Sequence, residues 1–340
     1  MPRCGTQCWL CDLPIRFDTY EGCSHGCKYC FVQRKKNIEE NIKPSEGPER
    51  LRNFIEGKRD AETQWADWDI PLHWGGMSDP FQPCEKKYRR SYECLKILRD
   101  TQYPFVVSTK GKLAGDDEYV DLISQCNCVM QISAVCDSYN ELEPGCPSYS
   151  ERLAIAKKIA DRGTRVIIRI QPYMHEVYNE VKADLKRVAE AGAYGVIIEG
   201  MKHTKHIKGT TKVGNDWCIE YRTIRDDFMA LKEEGNRLGL KVYAGENRLR
   251  ELGDSLTCCG TDGMEGFKPN YYNINHFVRG DFHEPTEGQK SVGSAYCFRT
   301  VDQTTAFNEV LKKNSFATVM AWYTKTKKKF VEQTFGLDKK

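Results

Sequence analysis

Three cysteines lie within eight residues of each other, at Cys23, Cys27 and Cys30, in the spacing Cys-x3-Cys-x2-Cys with Tyr29 just before the third. Three thiolates on one short loop can hold three irons of a cubane cluster and leave the fourth iron without a protein ligand. A structural zinc site is the alternative, but it normally completes its shell with a fourth protein ligand, and none stands at a suitable spacing. The spacing therefore predicts an open iron at which a small molecule binds and reacts.

A second triplet at the N-terminus, Cys4, Cys8 and Cys11, repeats the same spacing. It lies too close to the start of the chain to follow a first barrel strand, so it is not interpreted as the reactive cluster. It predicts an auxiliary Fe–S cluster or a zinc ion, with a fourth ligand from Cys258 or Cys259. The alternative is an N-terminal arm whose thiols are free.

The adjacent pair Cys258 and Cys259 is the candidate catalytic group. Three interpretations stay open: a ligand of an auxiliary cluster, a hydrogen-atom donor to a product radical, or buried packing thiols. A donor role is chemically sensible because an S–H bond is weaker than most C–H bonds. The remaining cysteines are scattered and are interpreted as core or surface thiols; they are Cys84, Cys94, Cys126, Cys128, Cys136, Cys146, Cys218 and Cys297.

The composition is that of a soluble globular protein: 340 residues, 40% hydrophobic and 29% charged. No apolar run approaches the length of a membrane span, and the first residues lack the apolar core of a signal peptide. We therefore expect a cytoplasmic protein with no membrane partner, whose 16 cysteines are metal ligands or free thiols and not disulfides. The net charge of +3 is too small to argue for a polyanionic partner by itself.

Strand-like and helix-like segments alternate after residue 69. Predicted strands cover residues 69–75, 104–109, 127–134, 164–170, 194–198 and 240–244. Predicted helices cover residues 85–99, 116–124, 149–162, 179–191 and 219–238, and Gly163 suits a helix stop. This alternation predicts an α/β fold, a partial (β/α)6-type barrel of parallel strands. The loops after the strands then meet on one face, where such folds place their active sites.

The predicted organisation has three parts: a Cys-rich arm over residues 1–12, a barrel over 13–245, and an irregular, partly helical C-terminal extension over 246–340. Two basic stretches stand out, residues 201–208 after a barrel strand and residues 325–329 beside Trp322, Tyr323 and Phe330. Residues 201–208 form either a substrate-contacting loop or only an exposed one. Residues 325–329 are either a solvated helix end or a binding site for a phosphate backbone, with the aromatic rings stacking on bases.

Several segments, taken in order, resemble the radical S-adenosylmethionine (radical SAM) superfamily and, more narrowly, its spore photoproduct lyase-like branch. They are residues 19–31, residues 78–83 followed by Glu85, residues 108–110, residues 143–144 and residues 150–153. The resemblance runs over about residues 13–200, more than half of the chain.

The resemblance implies that Cys23, Cys27 and Cys30 hold a [4Fe–4S] cluster whose fourth iron binds S-adenosylmethionine. Gly75 and Gly76 occupy the position of the glycine-containing edge that meets the methionine amine. Met77 departs from the commoner Gly-Gly-Glu pattern, so backbone carbonyls or Asp79 take that task. The remaining cofactor contacts that the resemblance implies are Ser108, Thr109 and Lys110 at the methionine carboxylate, Ser133 at the ribose, and Tyr29 near the adenine.

In this family a reduced cluster cleaves the sulfonium and yields a 5′-deoxyadenosyl radical, while the protein supplies orientation and a closed site. The resemblance implies an external one-electron reductant of the flavodoxin or ferredoxin type. The favoured substrate is a nucleic acid or a nucleotide-like molecule, in a repair lyase-like or base-modifying reaction. Two alternatives stay open: a radical SAM enzyme that modifies a peptide, protein or small metabolite, and a non-catalytic Fe–S or zinc protein.

Overall fold

The computed structural model describes residues 11–32, 38–45, 47–58, 71–213 and 216–269, together with the backbone of residues 3–4. The predictions for Cys8, for Cys297, for the part of the C-terminal extension after residue 269 and for the basic stretch 325–329 lie outside these residues. Within the described ranges, no helix has both the length and the apolar character needed to cross a membrane.

The strands and helices alternate along the described chain as the sequence predicts. The strands are β1 (Arg3–Cys4), β2 (Ile15–Phe17), β3 (Tyr20–Glu21), β4 (Lys43–Pro44), β5 (Leu72–Trp74), β6 (Phe105–Thr109), β7 (Cys128–Ser133), β8 (Arg165–Tyr173), β9 (Gly195–Gly200), β10 (Lys202–His203), β11 (Thr210–Val213), β12 (Asp216–Ile219) and β13 (Lys241–Ala244). The helices are α1 (Gly47–Ile55), α2 (Glu85–Tyr88), α3 (Arg90–Thr101), α4 (Asp117–Ile123), α5 (Tyr149–Ala160), α6 (Tyr178–Glu190) and α7 (Tyr221–Arg237).

One sheet carries the fold, with strand order β1-β2-β5-β6-β7-β8-β9-β13. Within the described residues, its seven strands from β2 to β13 run parallel, and β1 lies antiparallel on the outer edge of β2. The two edge strands do not pair with each other, so the barrel is open. The predicted α/β fold, a partial barrel of parallel strands, is confirmed.

The predicted helix over residues 85–99 is two helices, α2 and α3, because Arg89 takes a left-handed conformation with φ +55°. The buried carboxylate of Glu85 explains the break. It accepts hydrogen bonds from the backbone N–H groups of Ser91 and Tyr92, both at 2.9 Å. A carboxylate at a helix N-terminus is stabilised by unpaired N–H groups, so the break lets one buried side chain cap α3.

Other boundaries follow local signals. Ser148 caps α5 in a reciprocal arrangement with Glu151, and Gly163 adopts φ +86° just beyond the end of that helix, as predicted. The short antiparallel sheet β10-β12-β11, which follows barrel strand β9, was not predicted. Its strands are two to four residues long and largely polar, so they carry little periodic signal.

The barrel interior, which we call the lumen, changes character along the strands. Near the strand starts it is apolar and contains Val106, Val129, Ile167, Ile197 and Tyr243. We call residues 258–267 the floor segment, because its backbone lies against these strand starts. A Cβ atom on Gly260 would lie only 2.6 Å from Ile167 Cδ1, so the floor segment packs directly onto the strands. The N-terminal end of the barrel is thereby covered, and the polar strand ends face the opposite side.

Candidate active site

The loop that carries Cys23, Cys27 and Cys30, residues 22–30, follows β3 and is here called the cluster loop. Gly22 has φ +78°, and a Cβ atom there would lie 2.5 Å from Ile38 O. The buried amide of Gln82 bonds the loop at two points: its Oε1 accepts from Ser24 N at 3.0 Å and its Nε2 donates to Gly22 O at 3.1 Å. Gln82 belongs to the segment 78–83 on which the resemblance depends, so that segment positions the cluster loop.

Asp79 joins three parts of the site. Its Oδ2 lies 3.1 Å from His25 Nε2 and accepts from Lys110 N at 2.6 Å. Its Oδ1 accepts from Thr109 Oγ1 at 2.7 Å. The cluster loop and the end of β6 are therefore tied together through one buried carboxylate, and the role of Asp79 toward the methionine amine stays a prediction.

His25 and Asp79 form a buried ion pair, with only 4% and 8% of their side-chain surfaces exposed. Burial alone lowers the pKa of His25, but the Asp79 carboxylate outweighs burial and raises it. Burial alone raises the pKa of Asp79, but His25 and the hydrogen bonds from Lys110 and Thr109 lower it. The ordering of the cluster loop therefore depends on two charges that favour each other.

Residues 142–146, which we call the wall segment, lie against the other side of the cluster loop. Lys28 N donates to Leu142 O and Gly145 N donates to His25 O, both at 2.9 Å. The buried carboxylate of Glu143 accepts a hydrogen bond from the Tyr29 hydroxyl. The side chain of Tyr29 is therefore held at the edge of the loop, and its contact with an adenine stays a prediction.

Arg152 supports the wall segment from α5. Its Nη2 lies 2.5 Å from Glu143 Oε2, and neither side chain has more than 1% of its surface exposed. Its Nη1 donates to Ser133 O at 2.7 Å. The sequence singled out both residues as part of the resemblance without a role; the structure shows that they fix the wall segment relative to the end of β7, where Ser133 lies.

Lys110, at the end of β6, brings a positive charge to the cluster loop. Its Nζ lies 3.8 Å from Glu143 Oε1 and 5.5 Å from the centre of the Tyr29 ring. Burial lowers the pKa of Lys110, but Glu143 and Cys27 outweigh burial and raise it. The ammonium group therefore stays charged beside the thiol of Cys27.

Cys146 is a functional candidate that the sequence interpretation missed, because it was grouped with the scattered core and surface thiols. It ends the wall segment, and its Sγ lies 3.8 Å from Cys27 Sγ. Its distance of 119 residues from Cys27 along the chain left no local spacing signal.

Gly75, at the end of β5, allows a close approach that another residue would not. It has φ +85°, and a Cβ atom there would lie 2.3 Å from Ser108 O. Gly76 follows it at the same edge, and the backbone N–H groups of Met77 and Ser78 donate to Asp18 Oδ1. The ends of β5 and β6 are thus in direct backbone contact at the predicted cofactor edge.

We expect Gly75→Ala to destabilise the fold by more than Gly239→Ala. Gly239 has φ +83°, but a Cβ atom there meets nothing within 4 Å. Both variants impose a left-handed conformation on alanine, which costs about 1–2 kcal/mol, and only Gly75→Ala adds a backbone clash. Urea unfolding of the two variants measures the difference; equal losses would show that the contact with Ser108 is not a constraint.

A chain of polar side chains, here called the polar layer, crosses the lumen above the apolar strand starts. Arg169 Nη1 donates to Ser108 Oγ and to Gln131 Oε1, both at 2.8 Å. On one side, Ser108 Oγ lies 3.0 Å from His73 Nε2, and His73 Nδ1 contacts Arg16. On the other side, the chain continues from Arg169 to three residues near the ends of β8 and β9: Gln171, Glu199 and Lys202.

Charge in the polar layer is mainly positive on the side of Arg16 and Arg169. Burial, followed by the two guanidinium groups, lowers the pKa of His73 well below its ordinary value, so His73 is neutral. Of the residues in this layer, only Ser108 was predicted. The sequence carries a signal for this layer in the alternation of side chains along the strands. On each of three strands an apolar residue and a polar residue two positions later point to the same face, with the polar residue nearer the strand end: Val106 and Ser108, Val129 and Gln131, and Ile167 and Arg169.

The thiols of Cys258 and Cys259 lie in the floor segment with their Sγ atoms 3.6 Å apart. Gln131 of the polar layer donates through Nε2 to Cys259 O at 3.0 Å, so the pair lies beneath that layer. The hydrogen bond with Cys259 lowers the pKa of Cys258 to about 6. Burial raises the pKa of Cys11 to about 11. Cys11 and Cys258 both pack against the apolar cluster that contains Cys259.

The structure thus brings Cys11 toward Cys258 and Cys259, as the auxiliary-site prediction requires. The side chain of Cys4 and the whole of Cys8 lie outside the described residues. Among the residues that are described, no three His, Cys, Asp or Glu side chains are grouped closely enough to hold a metal ion. For the cluster loop to hold a cluster, its thiols would therefore have to turn toward one another.

Comparison with known proteins gives relatives in sequence and in structure. No family model matches the chain. Uncharacterized proteins from Mycobacterium bovis and Mycobacterium tuberculosis are each 26% identical to it over 220 residues. The matches cover 59% of this chain and 62% of each relative, so the chain spans less than two thirds of their length.

Two solved structures share the fold. Spore photoproduct lyase complexed with dinucleoside spore photoproduct matches with a TM-score of 0.53 and 16% identity, over 68% of this chain and 76% of that one. A double mutant of the lyase with bound AdoMet and the same photoproduct matches with a TM-score of 0.50 and 16% identity, over the same shares. The resemblance noted in the sequence is therefore confirmed at the level of the fold.

Proposed function

We propose that this chain is a radical S-adenosylmethionine enzyme that holds a [4Fe–4S] cluster on Cys23, Cys27 and Cys30. The observation that carries the proposal is a three-thiol loop tied by Gln82, Asp79 and the wall segment to the strand ends of a partial parallel barrel. The shared fold supports it, because spore photoproduct lyase has been solved with bound AdoMet.

The residues around the loop suit such a cluster. Three cysteines supply the thiolate ligands and leave one iron free. The contact with Cys146 and, to a lesser extent, the charge of Lys110 lower the pKa of Cys27. When bound, a reduced cluster supplies an electron that cleaves S-adenosylmethionine reductively and gives a 5′-deoxyadenosyl radical. We infer an external one-electron reductant of the flavodoxin or ferredoxin type.

The chain itself supplies binding and orientation. Gly75 and Gly76 offer a backbone edge to the methionine amine, and the cations of Lys110 and Arg169 attract its carboxylate. The end of β7, fixed by Arg152, presents Ser133 to the ribose. Cofactor contacts for Thr109 and Tyr29 belong to the same proposal, although both hydroxyls bond to carboxylates of the protein, those of Asp79 and Glu143.

We propose that one of the two thiols Cys258 and Cys259 acts as a hydrogen-atom donor from below the polar layer. Two observations support a donor role over simple packing: the thiols touch each other, and the floor segment that carries them is bonded to Gln131 of the lumen. A covered floor also limits the access of water from the N-terminal end, which protects a radical.

The proposed function is tested by anaerobic reconstitution with iron and sulfide, followed by iron counting and by assay of 5′-deoxyadenosine release under dithionite. We expect about four irons per chain, or about eight with an auxiliary cluster, and release of 5′-deoxyadenosine only with the reductant present. Zinc at residues 23–30, or a cluster that never cleaves S-adenosylmethionine, would contradict the proposal.

Cys8→Ala tests the auxiliary site that we propose for Cys4, Cys8 and Cys11 with Cys258 or Cys259. We expect this variant to lose the auxiliary iron or zinc and to keep 5′-deoxyadenosine release in the absence of substrate, because the cluster loop is untouched. Elemental analysis and product assay of the same sample give both readouts. Loss of 5′-deoxyadenosine release would show that the two triplets have been assigned the wrong way round.

The substrate we propose is a nucleic acid or a nucleotide-like molecule. Support comes from the small sheet after β9, whose connecting loop exposes Lys205, His206 and Lys208. The His206 and Trp217 rings lie 4.7 Å apart on it, so cations for phosphates stand beside rings for bases. Spore photoproduct lyase, which shares the fold, has been solved with a dinucleoside.

We expect Lys205→Glu with Lys208→Glu to weaken retention on single-stranded DNA. Each phosphate contact contributes about 0.7 to the slope of log affinity against log salt, so the double variant should lower the slope by about 1.4. Salt-dependent fluorescence anisotropy with a labelled oligonucleotide measures it. The matched control is Lys157→Glu with Lys186→Glu, at exposed positions on α5 and α6. If both double variants lower the salt slope equally, the effect comes from net charge and not from a specific site. That result would favour a peptide or metabolite substrate.

A further inference from the structure

Cys146 and Cys27 are in contact although they come from different parts of the chain. Their Sγ atoms lie 3.8 Å apart, which is a van der Waals separation for two sulfur atoms. Cys27 is buried with 8% of its surface exposed, whereas Cys146 is half-buried and reaches the surface of the wall segment. The pair therefore combines one protected thiol with one that a small oxidant can reach.

The backbone holds the two thiols together without help from a metal. The wall segment is bonded to the cluster loop on both sides of the pair, through Lys28 N to Leu142 O and Gly145 N to His25 O. A Cβ atom on Gly145 would lie 2.6 Å from Ser24 O, so the two segments approach as closely as glycine alone permits. A disulfide would bring the two sulfurs from this contact to a bonding distance of about 2.05 Å.

We propose that Cys27 and Cys146 form a reversible disulfide when the cluster loop holds no metal, so that a peroxide oxidises this pair and locks the loop out of cluster assembly. The inference of the disulfide depends only on the contact between the two sulfur atoms. Its consequence for assembly of the cluster rests on the proposed function. With Cys27 engaged, only Cys23 and Cys30 remain on the loop, and two thiols cannot anchor a cubane at three irons.

The chemistry balances with the peroxide as the only added reactant. One sulfur of the pair, as its thiolate, attacks the peroxide: an S–O bond forms, the O–O bond breaks, and the leaving oxygen takes up the proton that this thiol released and departs as an alcohol or water. The other sulfur then attacks the sulfenic acid, the S–S bond forms, and the hydroxyl group leaves as water with the proton of the second thiol. The two sulfurs lose two electrons and the peroxide gains them; a dithiol reductant reverses the step by thiol–disulfide exchange.

Cys30 is the competing partner, because Cys27 and Cys30 are separated by two residues, as in many redox-active pairs. In the structure these two residues form a turn, with Cys30 N donating to Cys27 O at 3.0 Å. It is Cys146 whose sulfur lies in contact with Cys27. The geometry therefore favours the partner that is distant in sequence.

The test uses the cluster-free full chain, reduced under anaerobic conditions and treated with one equivalent of hydrogen peroxide. Free thiols are then alkylated, and crosslinked peptides are identified by tandem mass spectrometry. We expect the Cys27–Cys146 crosslink to predominate in the wild type and to disappear in Cys146→Ser. It should persist in Cys126→Ser, which removes another half-buried thiol, one that bonds to Leu95 O. We also expect the oxidised wild type to take up no iron until dithiothreitol is added.

A Cys27–Cys30 crosslink as the main product, or no crosslink to Cys146, would overturn the proposal. Failure of the proposed function gives a different pattern: the Cys27–Cys146 crosslink forms, but the reduced chain never assembles a cluster that cleaves S-adenosylmethionine. If the reduced protein cleaves S-adenosylmethionine normally but no crosslink forms, the proposed function holds and the proposed disulfide is wrong. If the crosslinked chain takes up iron rapidly without reductant, the disulfide does not block cluster assembly.

Discussion

Replacing Cys27 by alanine is expected to abolish 5′-deoxyadenosine formation and to remove the cluster from the loop. Three thiolates are the smallest set that anchors a cubane at three irons, so the loss of one leaves the cluster open to exchange and hydrolysis. The measurement is iron per chain and 5′-deoxyadenosine per cluster after anaerobic reconstitution. Because Cys27 also contacts Cys146, the neighbouring thiol could take over its place.

Cys23→Ala and Cys30→Ala separate these cases. If Cys146 replaces Cys27 as a ligand, Cys27→Ala will keep iron that the other two variants lose, and adding Cys146→Ser will remove it. Cys126→Ala is the control for a thiol outside the loop and should keep full activity. Wild-type levels of iron and product in all three loop variants would exclude the cluster loop as the reactive site.

Replacing Arg152 by methionine is expected to destabilise the fold by about 3–5 kcal/mol, because the buried Glu143 carboxylate loses its nearest cation and keeps only Lys110, at 3.8 Å, as a positively charged partner. Arg152 Nη2 and Glu143 Oε2 are 2.5 Å apart and essentially inaccessible to water. The measurement is urea unfolding of the cluster-free proteins, compared at equal slope. The same variant should loosen Ser133, whose carbonyl Arg152 also holds.

The matched control for Arg152→Met is Arg162→Met. Arg162 pairs with Asp121 at 2.8 Å, but both side chains are about half exposed, so its removal should cost less than about 1 kcal/mol. Combining Arg152→Met with Glu143→Leu should recover part of the loss, because the unpaired carboxylate is removed, although Lys110 then loses its contact with Glu143. A loss in Arg152→Met no larger than in Arg162→Met would show that the buried pair is not what holds the wall segment.

The fold was largely predictable because its signals are local and repeated. β-branched runs such as residues 164–170, with a helix stop at Gly163, identify strands and helices wherever packing agrees with propensity. The break at Arg89 was not predictable, because it depends on Glu85 being buried beside Ser91 and Tyr92. A tertiary contact there overrides a helical pattern that continues through residues 85–99.

The candidate site was predictable only where its residues follow one another closely. Cys23, Cys27 and Cys30 could be recognised by their spacing, and Gly75 could be recognised by its place at the end of a predicted strand. Cys146 and Arg152 act through contacts with residues more than 100 and about 10–20 positions away, respectively. No periodicity encodes such a contact. The polar layer could in principle have been predicted from the alternation of side chains along the strands. A polar residue in a strand is equally typical of a solvated face, so the pattern alone does not decide between the two.

The floor segment has a consequence for how the protein is made. Synthesis proceeds from the N-terminus, so a nascent chain that ends near residue 245 already contains every parallel strand of the described sheet. It still lacks the floor segment, which packs onto the apolar strand starts at Ile167 and Tyr243. This apolar surface stays open to chaperones, or to other nascent chains, until residues 258–267 have left the ribosome. A stop codon or a translational pause between residues 245 and 258 is therefore expected to give a truncated or stalled chain that is prone to aggregation.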